Sequence, residues 1–330
     1  MRFEPSPYLL LGVACLFWAG NFVIGRAVSD DIPPIALNFW RWCIALAILF
    51  PFTAAGLWQY RAAIVQNWRI LLLLAVTGVG AFHSFIYLAL ASTTAINAAL
   101  FMAAVPMVIP PIAFGLDREV LRRRQVLGIA LSLLGVLTII TRADPGVLAG
   151  LRFNAGDLWM LGAVPLWSLY SVLLKRRPTV LPPVILLVSL MCVGVALLLP
   201  VYLWEFAALG GFAVNAASLL SIGYLALFAS LIAYIFWNRG VAQIGASKAG
   251  PFMHLIPVLA TAMAIGFLGE AFRPYHLMGV GLIAAGIVLT NRAPRPARGA
   301  ARADGRGHEV KPAPRQAAGS GAERPAKIGD

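Results

Sequence analysis

The sequence predicts an all-α integral membrane protein in which ten transmembrane helices form two inverted five-helix repeats. Of its 330 residues, 60% are hydrophobic and only 12% are charged, whereas a soluble domain carries about 25% charged residues. Ten apolar runs are long enough to cross a bilayer as helices, which takes about 20 residues each. The second half of the chain also repeats the first half in sequence. The three observations together exclude a soluble globular fold.

The ten runs follow one another up to residue 291 with short polar segments between them. They are Tyr8–Val28, Pro33–Ala55, Trp68–Leu90, Thr94–Gly115, Gln125–Thr141, Gly156–Lys175, Pro182–Trp204, Leu219–Trp237, Ser247–Phe267 and Tyr275–Asn291. The first run is longer than the apolar core of a signal peptide and lacks a small-x-small cleavage site, which favours a retained helix. The tail, Ala293–Asp330, is rich in Pro, Gly, Ala and Arg and is predicted to be a disordered, basic cytoplasmic segment.

The distribution of basic residues predicts the orientation. If the amino terminus is inside, the inner segments contain 12 Lys and Arg before the tail, and the outer segments contain four. Cytoplasmic loops carry such an excess, so both termini are predicted to be cytoplasmic. The formal net charge of +13 is explained by this bias and does not indicate nucleic-acid binding.

The internal repeat divides the chain into residues 1–142 and 143–292. An offset of 149 residues aligns Trp18 with Trp167 and the pair Pro33-Pro34 with Pro182-Pro183. An offset of 151 aligns Phe101, Met102 and Pro106 with Phe252, Met253 and Pro257. Because each half holds five helices, an odd number, the two halves must be inverted in the membrane. Inverted repeats are typical of transporters, whose substrate site lies near the midplane at the repeat interface.

The aligned prolines, Pro106 and Pro257, are predicted to kink the fourth and ninth helices near their middles. A proline inside a helix frees the carbonyl four residues earlier, here that of Met102 or Met253. In lipid, such a carbonyl is tolerated only where protein or a water-filled cavity faces it. The two helices are therefore expected to face a shared interior.

The end of each repeat resembles the drug/metabolite transporter superfamily, and within it the EamA family. The similar blocks run from Leu90-Ala91 through Pro106 to Glu119 and Gly135, and from Val241 through Pro257 to Gly269-Glu270 and Gly286. The second copy has the family's Gly-Glu pair, whereas the first has Arg118-Glu119. The resemblance implies export of small metabolites across the bacterial inner membrane by alternating access, as in amino-acid exporters of the YddG type.

Polar and aromatic residues within spans are the candidate substrate-binding residues, because polar groups in spans usually face the bundle interior. His83 and His254 could contact substrate or carry a proton, or each could be a neutral histidine bonded to a backbone carbonyl. The remaining candidates supply aromatic or thioether walls: Trp18, Tyr87, Phe101, Met102, Trp167, Tyr170, Phe252 and Met253. Arg41 could pair with a substrate carboxylate, but its position favours snorkelling to the outer surface or pairing with Asp30 or Asp31.

Glycines on the fifth and tenth helices permit close packing, either of these two helices on each other or on a second copy of the protein. A monomer and a homodimer are therefore both compatible with the sequence. The glycines are Gly128, Gly135, Gly279, Gly281 and Gly286.

The leading functional hypothesis is a secondary transporter that exports small metabolites, in the first place amino acids; the alternative is a multidrug or other-metabolite exporter of the same fold. An enzyme is not expected, because neither His-Glu-x-x-His nor Gly-x-Ser-x-Gly occurs. No phosphate-binding loop motif occurs either, so no nucleotide cofactor is expected. The three cysteines are widely spaced, and no metal site is predicted. Proton exchange and facilitated diffusion both remain compatible with the sequence.

Overall fold

A computed structural model describes residues 5–93, 98, 101–144, 146–149, 154–268 and 273–292. The described chain is helical and contains no β-strand. Its helices are α1 (Pro7–Ala27), α2 (Pro34–Gln59), α3 (Arg61–Gln66), α4 (Trp68–Ala75), α5 (Ala81–Leu90), α6 (Val105–Asp117), α7 (Arg123–Ile140), α8 (Gly146–Ala149), α9 (Ala155–Leu173), α10 (Pro183–Leu209), α11 (Ala216–Tyr224), α12 (Ala233–Ile244), α13 (Ala246–Ala249), α14 (Leu255–Leu268) and α15 (Pro274–Asn291). The predicted tail Ala293–Asp330 and the pair Gly269-Glu270 lie outside the described residues.

Eight of the described helical segments are long and apolar enough to cross a membrane. Two of them are joined from shorter helices by π-helical segments: Val76–Gly80 connects α4 to α5, and Leu225–Ile232 connects α11 to α12. Of the predicted fourth span, Thr94–Gly115, the structure describes residues 98 and 101–115. The helix in this part, α6, is apolar but shorter than the other spans. The total of ten transmembrane helices therefore remains a prediction.

The predicted proline kinks are instead breaks in the helix. Pro106 lies in the first turn of α6, after a turn at residues 103 and 104. Pro257 lies in the first turn of α14, after a 3-10 segment, Gly250–His254. A proline in the first turn removes no intrahelical hydrogen bond, because the N–H groups there have no partner anyway. The matched prolines thus begin the second part of two broken helices.

Side-chain contacts with backbone occur at both breaks, next to the predicted carbonyls. The carbonyl of Ala103, beside Met102, lies 2.9 Å from Nε2 of His254. The carbonyl of Phe252, beside Met253, accepts the thiol of Cys15 at 3.1 Å. The backbone carbonyls at the two breaks therefore form hydrogen bonds with side chains from the other half of the chain.

Equivalent helices of the two halves pack in a reciprocal pattern. Helix α1 packs on α12, and its counterpart α9 packs on α5. Helix α2 packs on its counterpart α10, and α7 packs on its counterpart α15. The two glycine helices, α7 and α15, contact each other within one chain, which is the first of the two predicted alternatives. The main core thus contains residues of both halves.

Contacts between helix ends define two faces of the bundle. On the first face, Glu205 accepts the backbone N–H groups of Ile35 and Ala36 at 2.9 and 2.7 Å, and the Arg26 guanidinium donates to the carbonyl of Leu90 at 2.8 Å. On the second face, Asp117 pairs with Lys175 and Arg176 at 3.4 and 2.9 Å. The second face thus includes the end of α6 and the 3-10 turn Leu174–Arg176 that follows α9. 

Candidate functional site

Buried aromatic side chains from both halves meet at the centre of the bundle. Trp18 and Trp167, which are equivalent in the repeat, contact edge to face with ring centroids 4.9 Å apart. Tyr234 and Trp237 complete the cluster, with centroids 5.7 and 5.6 Å from that of Trp167. Edge-to-face pairs at these distances are favourable. The cluster is the structural centre between the two repeats.

A small cavity lies beside this cluster. Its volume is about 10 Å³, roughly the room for one water molecule. Both halves contribute to its wall, which consists of Trp18, Asn21, Phe22, Phe82, His83, Ile86, Met102, Trp167, Met253 and Ile256. The candidates Trp18, His83, Met102, Trp167 and Met253 therefore share one cavity.

The remaining candidates lie elsewhere. Phe101 is half-buried and packs against the main core, and Phe252 stacks on Tyr8 with centroids 6.1 Å apart, away from the cavity. His254 lies between helices, with Nδ1 2.7 Å from the Ser132 hydroxyl and Nε2 2.9 Å from the Ala103 carbonyl. Because a carbonyl only accepts, Nε2 must carry a proton. The contacts of His254 match the carbonyl-bonded alternative considered from the sequence.

Tyr87 and Tyr170 each form a hydrogen bond to an asparagine. The Tyr87 hydroxyl donates to Oδ1 of Asn21 at 2.7 Å, and the Tyr170 hydroxyl donates to Oδ1 of Asn238 at 2.9 Å. The offsets of the repeat align Asn21 with Tyr170 and Tyr87 with Asn238. The same bond thus occurs in both halves with the residue types exchanged. We call these two bonds the Tyr–Asn clamps.

Arg41 contradicts the snorkelling expectation. Its side chain is 0% exposed, and it bonds to neutral groups: Nε donates to Ser230 Oγ at 2.8 Å, while Nη1 donates to Asn21 Oδ1 at 2.9 Å and to the Tyr87 hydroxyl at 2.5 Å. Neither Asp30 nor Asp31 pairs with it. The side chains that hold Arg41 in the interior come from α1, α5 and the π-helical segment of the other half. They are 20 to 189 residues away in the sequence, so no local pattern predicts these contacts.

The π-helical segments supply carbonyl acceptors at the aromatic cluster. Nε1 of Trp18 donates to the carbonyl of Ala229 at 3.0 Å. The repeat aligns Ala229 with Gly78, but the Gly78 carbonyl accepts the hydroxyl of Tyr234 instead of a tryptophan. Nε1 of Trp167 has no partner among the described residues. The equivalent carbonyls of the two π-helical segments therefore accept from different donors: an indole N–H at Ala229 and a phenol hydroxyl at Gly78.

A wider vestibule of about 430 Å³ opens at the second face. Charged groups line it: Asp117, Glu119, Lys175, Arg177 and Lys248. Ser171 and Val241 also line it, and they follow Tyr170 by one residue and Asn238 by three. The Tyr170–Asn238 clamp therefore lies between this vestibule and the central aromatic cluster.

Among the described residues, no group of three or more His, Cys, Asp or Glu side chains is arranged to hold a metal ion. The three cysteines Cys15, Cys43 and Cys192 are free thiols. The buried polar groups next to the aromatic cluster include the Arg41 guanidinium, the His83 ring, hydroxyls and amides. Such groups bind and orient small molecules through hydrogen bonds and charge.

Comparison with known proteins agrees with this architecture. The EamA-like transporter family matches the chain twice, over residues 5–141 and 154–292. The transporter YyaM of Bacillus subtilis (strain 168) is 25% identical over 86% of this chain and 93% of its own length. A probable terminal-alkyne amino-acid exporter of Streptantibioticus cattleyicolor is 25% identical over 83% of this chain and 90% of its own.

A solved crystal structure has the same fold, with a TM-score of 0.69 and 23% identity over 87% of this chain and 96% of that one. The family match covers both halves of the described bundle and most of the chain. The protein is a multi-pass membrane transporter that belongs to the EamA-like transporter family.

Proposed function

We propose that this transporter exports small metabolites, in the first place amino acids, from the bacterial cytoplasm across the inner membrane by alternating access. The observation that carries the proposal is the central cavity, whose wall combines equivalent residues of both halves, Trp18 with Trp167 and Met102 with Met253. A site at the interface of inverted repeats becomes accessible from either side when one repeat rocks against the other. Residues 1–142 and 143–292 are the two repeats in this proposal.

The Tyr–Asn clamps are the proposed gates. The clamp of Tyr170 and Asn238 separates the vestibule from the aromatic cluster, and the equivalent clamp of Asn21 and Tyr87 lies toward the first face. Each clamp joins two helices of the same repeat, so its opening is a local change that accompanies the rocking of the repeats. Breaking one bond while the other persists would open the cavity to one side at a time. Each clamp contributes one Tyr–Asn hydrogen bond to its closed state, and the clamp toward the first face is bonded to Arg41 as well.

The second face is cytoplasmic in this proposal, and both chain termini with the basic tail 293–330 lie on that side. The excess of Lys and Arg in the segments of this face supports the orientation. The vestibule would then be the entrance for cargo. Its mixed charges, from Asp117 to Lys248, suit a cargo that is small and charged.

Amino acids are favoured as cargo for two reasons. The Streptantibioticus relative is a probable terminal-alkyne amino-acid exporter, and the aromatic faces of the cavity can attract an ammonium group. The alternative of a multidrug exporter has one observation in its favour, since Met102 and Met253 both line the cavity and flexible thioethers suit varied ligands.

The test is counterflow in proteoliposomes with a panel of labelled L-amino acids and a panel of cationic drugs. We expect exchange of amino acids, and Trp18→Leu should reduce the rate about 3- to 30-fold, the loss expected for one cation–π contact. Trp204→Leu is the matched control, because Trp204 is 72% exposed and far from the cavity. Exchange of drugs alone would replace the amino-acid proposal by the multidrug alternative.

A further inference from the structure

Arg41 has unused hydrogen-bonding capacity in the middle of the protein. A guanidinium group has five N–H donors. Three of them are used: one at Nε by Ser230, and two at Nη1 by Asn21 and Tyr87. The two at Nη2 are buried and have no acceptor among the described residues. A fully buried group with two unpaired donors is unfavourable unless another molecule completes it.

The charge of Arg41 is also unpaired. The ion pairs of the described chain are those of Asp117 with Lys175 and Arg176, so no carboxylate of the described chain neutralises Arg41. Its guanidinium carbon lies 5.4 and 5.8 Å from the ring centroids of Trp42 and Tyr87. Aromatic faces attract a cation, but they do not use its N–H groups. A buried cation inside a membrane bundle marks a binding function by default.

The repeat shows that the framework does not need this charge. The offset of 149 aligns Arg41 with Leu190, and the offset of 151 aligns its partner Ser230 with Val79. Leu190 and Val79 are both fully buried in the core. The equivalent position in the second half is therefore stable with two aliphatic side chains, while the Tyr–Asn clamp is kept in both halves.

Asn21 connects Arg41 to the cavity. Its side chain lines the cavity, and its Oδ1 accepts from both Arg41 Nη1 and the Tyr87 hydroxyl. One amide oxygen thus occupies a position that suits a carboxylate oxygen. When Asn21 turns aside, Nη1, Nη2 and the Tyr87 hydroxyl together present donors for both oxygens of a carboxylate, the geometry that Arg binds best.

We propose that Arg41 is the receptor for a carboxylate of the transported molecule, with the Tyr87 hydroxyl as its partner donor. This inference rests on the proposed function and narrows the cargo to molecules with a carboxylate group. The carboxylate displaces the Asn21 oxygen, uses the free donors of Nη2 and supplies the missing negative charge. Cargo without this group leaves the buried cation unpaired and is bound weakly.

The experiment measures binding and transport separately on the full-length protein. Binding is followed by ligand-induced thermal stabilisation in detergent, with L-amino acids and the corresponding amino-acid carboxamides as probes. Transport is followed by counterflow of the same compounds in proteoliposomes. We expect carboxamides to bind about 10- to 100-fold more weakly than the acids, the loss of one charge-assisted hydrogen bond.

Arg41→Met and Arg41→Gln provide the decisive comparison, with Arg61→Gln as the control for removal of an exposed guanidinium. The Leu190 equivalence predicts that Arg41→Met keeps the thermal stability of the ligand-free protein while it loses the preference for acids over carboxamides. Equal binding of acids and carboxamides by the wild type would overturn the inference, as would a preference for acids that persists in Arg41→Met. A lowered stability of Arg41→Met together with an unchanged acid preference in Arg41→Gln would assign Arg41 a structural role instead.

The two proposals can fail independently. If acids bind through Arg41 but no compound exchanges across the vesicle membrane, the proposed transport of amino acids is wrong and the carboxylate site stands. If amino acids exchange without discrimination between acid and carboxamide, the transport proposal stands and the carboxylate site is wrong.

Discussion

The contact between α7 and α15 makes opposite predictions for the same substitution at two glycines of one helix. A methyl group added at Gly286 would lie 2.5 Å from the carbonyl oxygen of Gly128 and 2.6 Å from the backbone nitrogen of Ser132. A methyl group added at Gly281 would meet nothing within 4 Å. Gly286→Ala is the perturbation, and Gly281→Ala is its matched control.

The magnitude follows from the distances. Ordinary contact of a Cβ atom begins at 3.4 Å, so the backbones of α7 and α15 must separate by about 0.9 Å at Gly286. Forcing an extra methyl group into a tight interface costs about 1–3 kcal/mol. Replacing a helical glycine by alanine alone gains up to about 1 kcal/mol. We therefore expect Gly281→Ala to be neutral or stabilising and Gly286→Ala to be destabilising by about 1–2 kcal/mol.

Thermal unfolding in detergent, followed by near-ultraviolet circular dichroism, measures the difference. For a chain of 330 residues, about 1 kcal/mol shifts the melting temperature by about 1–2 °C, so the two variants should melt a few degrees apart. Movement of Ser132 also disturbs its contact with His254, which ties this helix pair to the broken helix. Equal melting temperatures for the two variants would refute the close packing of α7 on α15.

Three further predictions concern single hydrogen-bonding groups. Glu205→Gln should destabilise the protein by about 1–2 kcal/mol in thermal unfolding, because one amide oxygen cannot replace two carboxylate oxygens that cap α2; an unchanged melting temperature would show that the cap is unimportant. Tyr234→Phe should free the carbonyl of Gly78 for Nε1 of Trp167, seen as a shift in tryptophan emission with a loss of less than about 1.5 kcal/mol, and an emission spectrum identical to that of the wild type would contradict the exchange. Asp117→Asn should change the stability by no more than about 1 kcal/mol, since its partners Lys175 and Arg176 are largely exposed and ion pairs with exposed partners contribute little; a larger loss would indicate that the vestibule depends on this carboxylate.

The repeat in the sequence predicted the centre of the molecule well. Trp18 and Trp167 were chosen because they occupy equivalent positions, and equivalent positions near a pseudo-two-fold axis meet in space. Two other pairs of equivalent residues also meet in the structure. An offset of 151 aligns His83 with Tyr234 and Ala103 with His254, and each of these pairs is in contact.

The location of Arg41 could not be predicted from its distance to the end of the span. Snorkelling depends on whether a long side chain finds water before it finds other acceptors. Ser230, which receives Nε of Arg41, lies 189 residues away in the other half, and no local pattern connects them. A departure from the repeat was the available signal, since Arg41 aligns with the aliphatic residue Leu190 of the second half.

The proline prediction was wrong in form for a local reason. A proline after a stretch with helical hydrophobicity is compatible with a kink inside one helix or with the first turn of a new one. The choice depends on the residues before it: in the second half, Gly250 and Pro251 begin the 3-10 segment that precedes α14. The resulting breaks bring Met102 and Met253 to the cavity wall, which a continuous pair of kinked helices was also expected to do.

The unequal charge of the two halves has a consequence for alternating access. The Tyr–Asn clamps are equivalent, but only the clamp toward the first face carries a guanidinium whose bond to Ser230 joins one half to the other. Opening that end without cargo would break this bond in addition to the clamp and leave Arg41 with fewer hydrogen-bond partners.

A bound carboxylate would take over the donors of Arg41 and the Tyr87 hydroxyl, so the same opening would cost fewer hydrogen bonds. A ligand shifts a conformational equilibrium only by its difference in affinity between the two states, and Arg41 supplies that difference at one end alone. Carboxylate cargo should therefore accelerate opening toward the first face, whereas the vestibule side, with Leu190 in the equivalent place, opens equally with or without it.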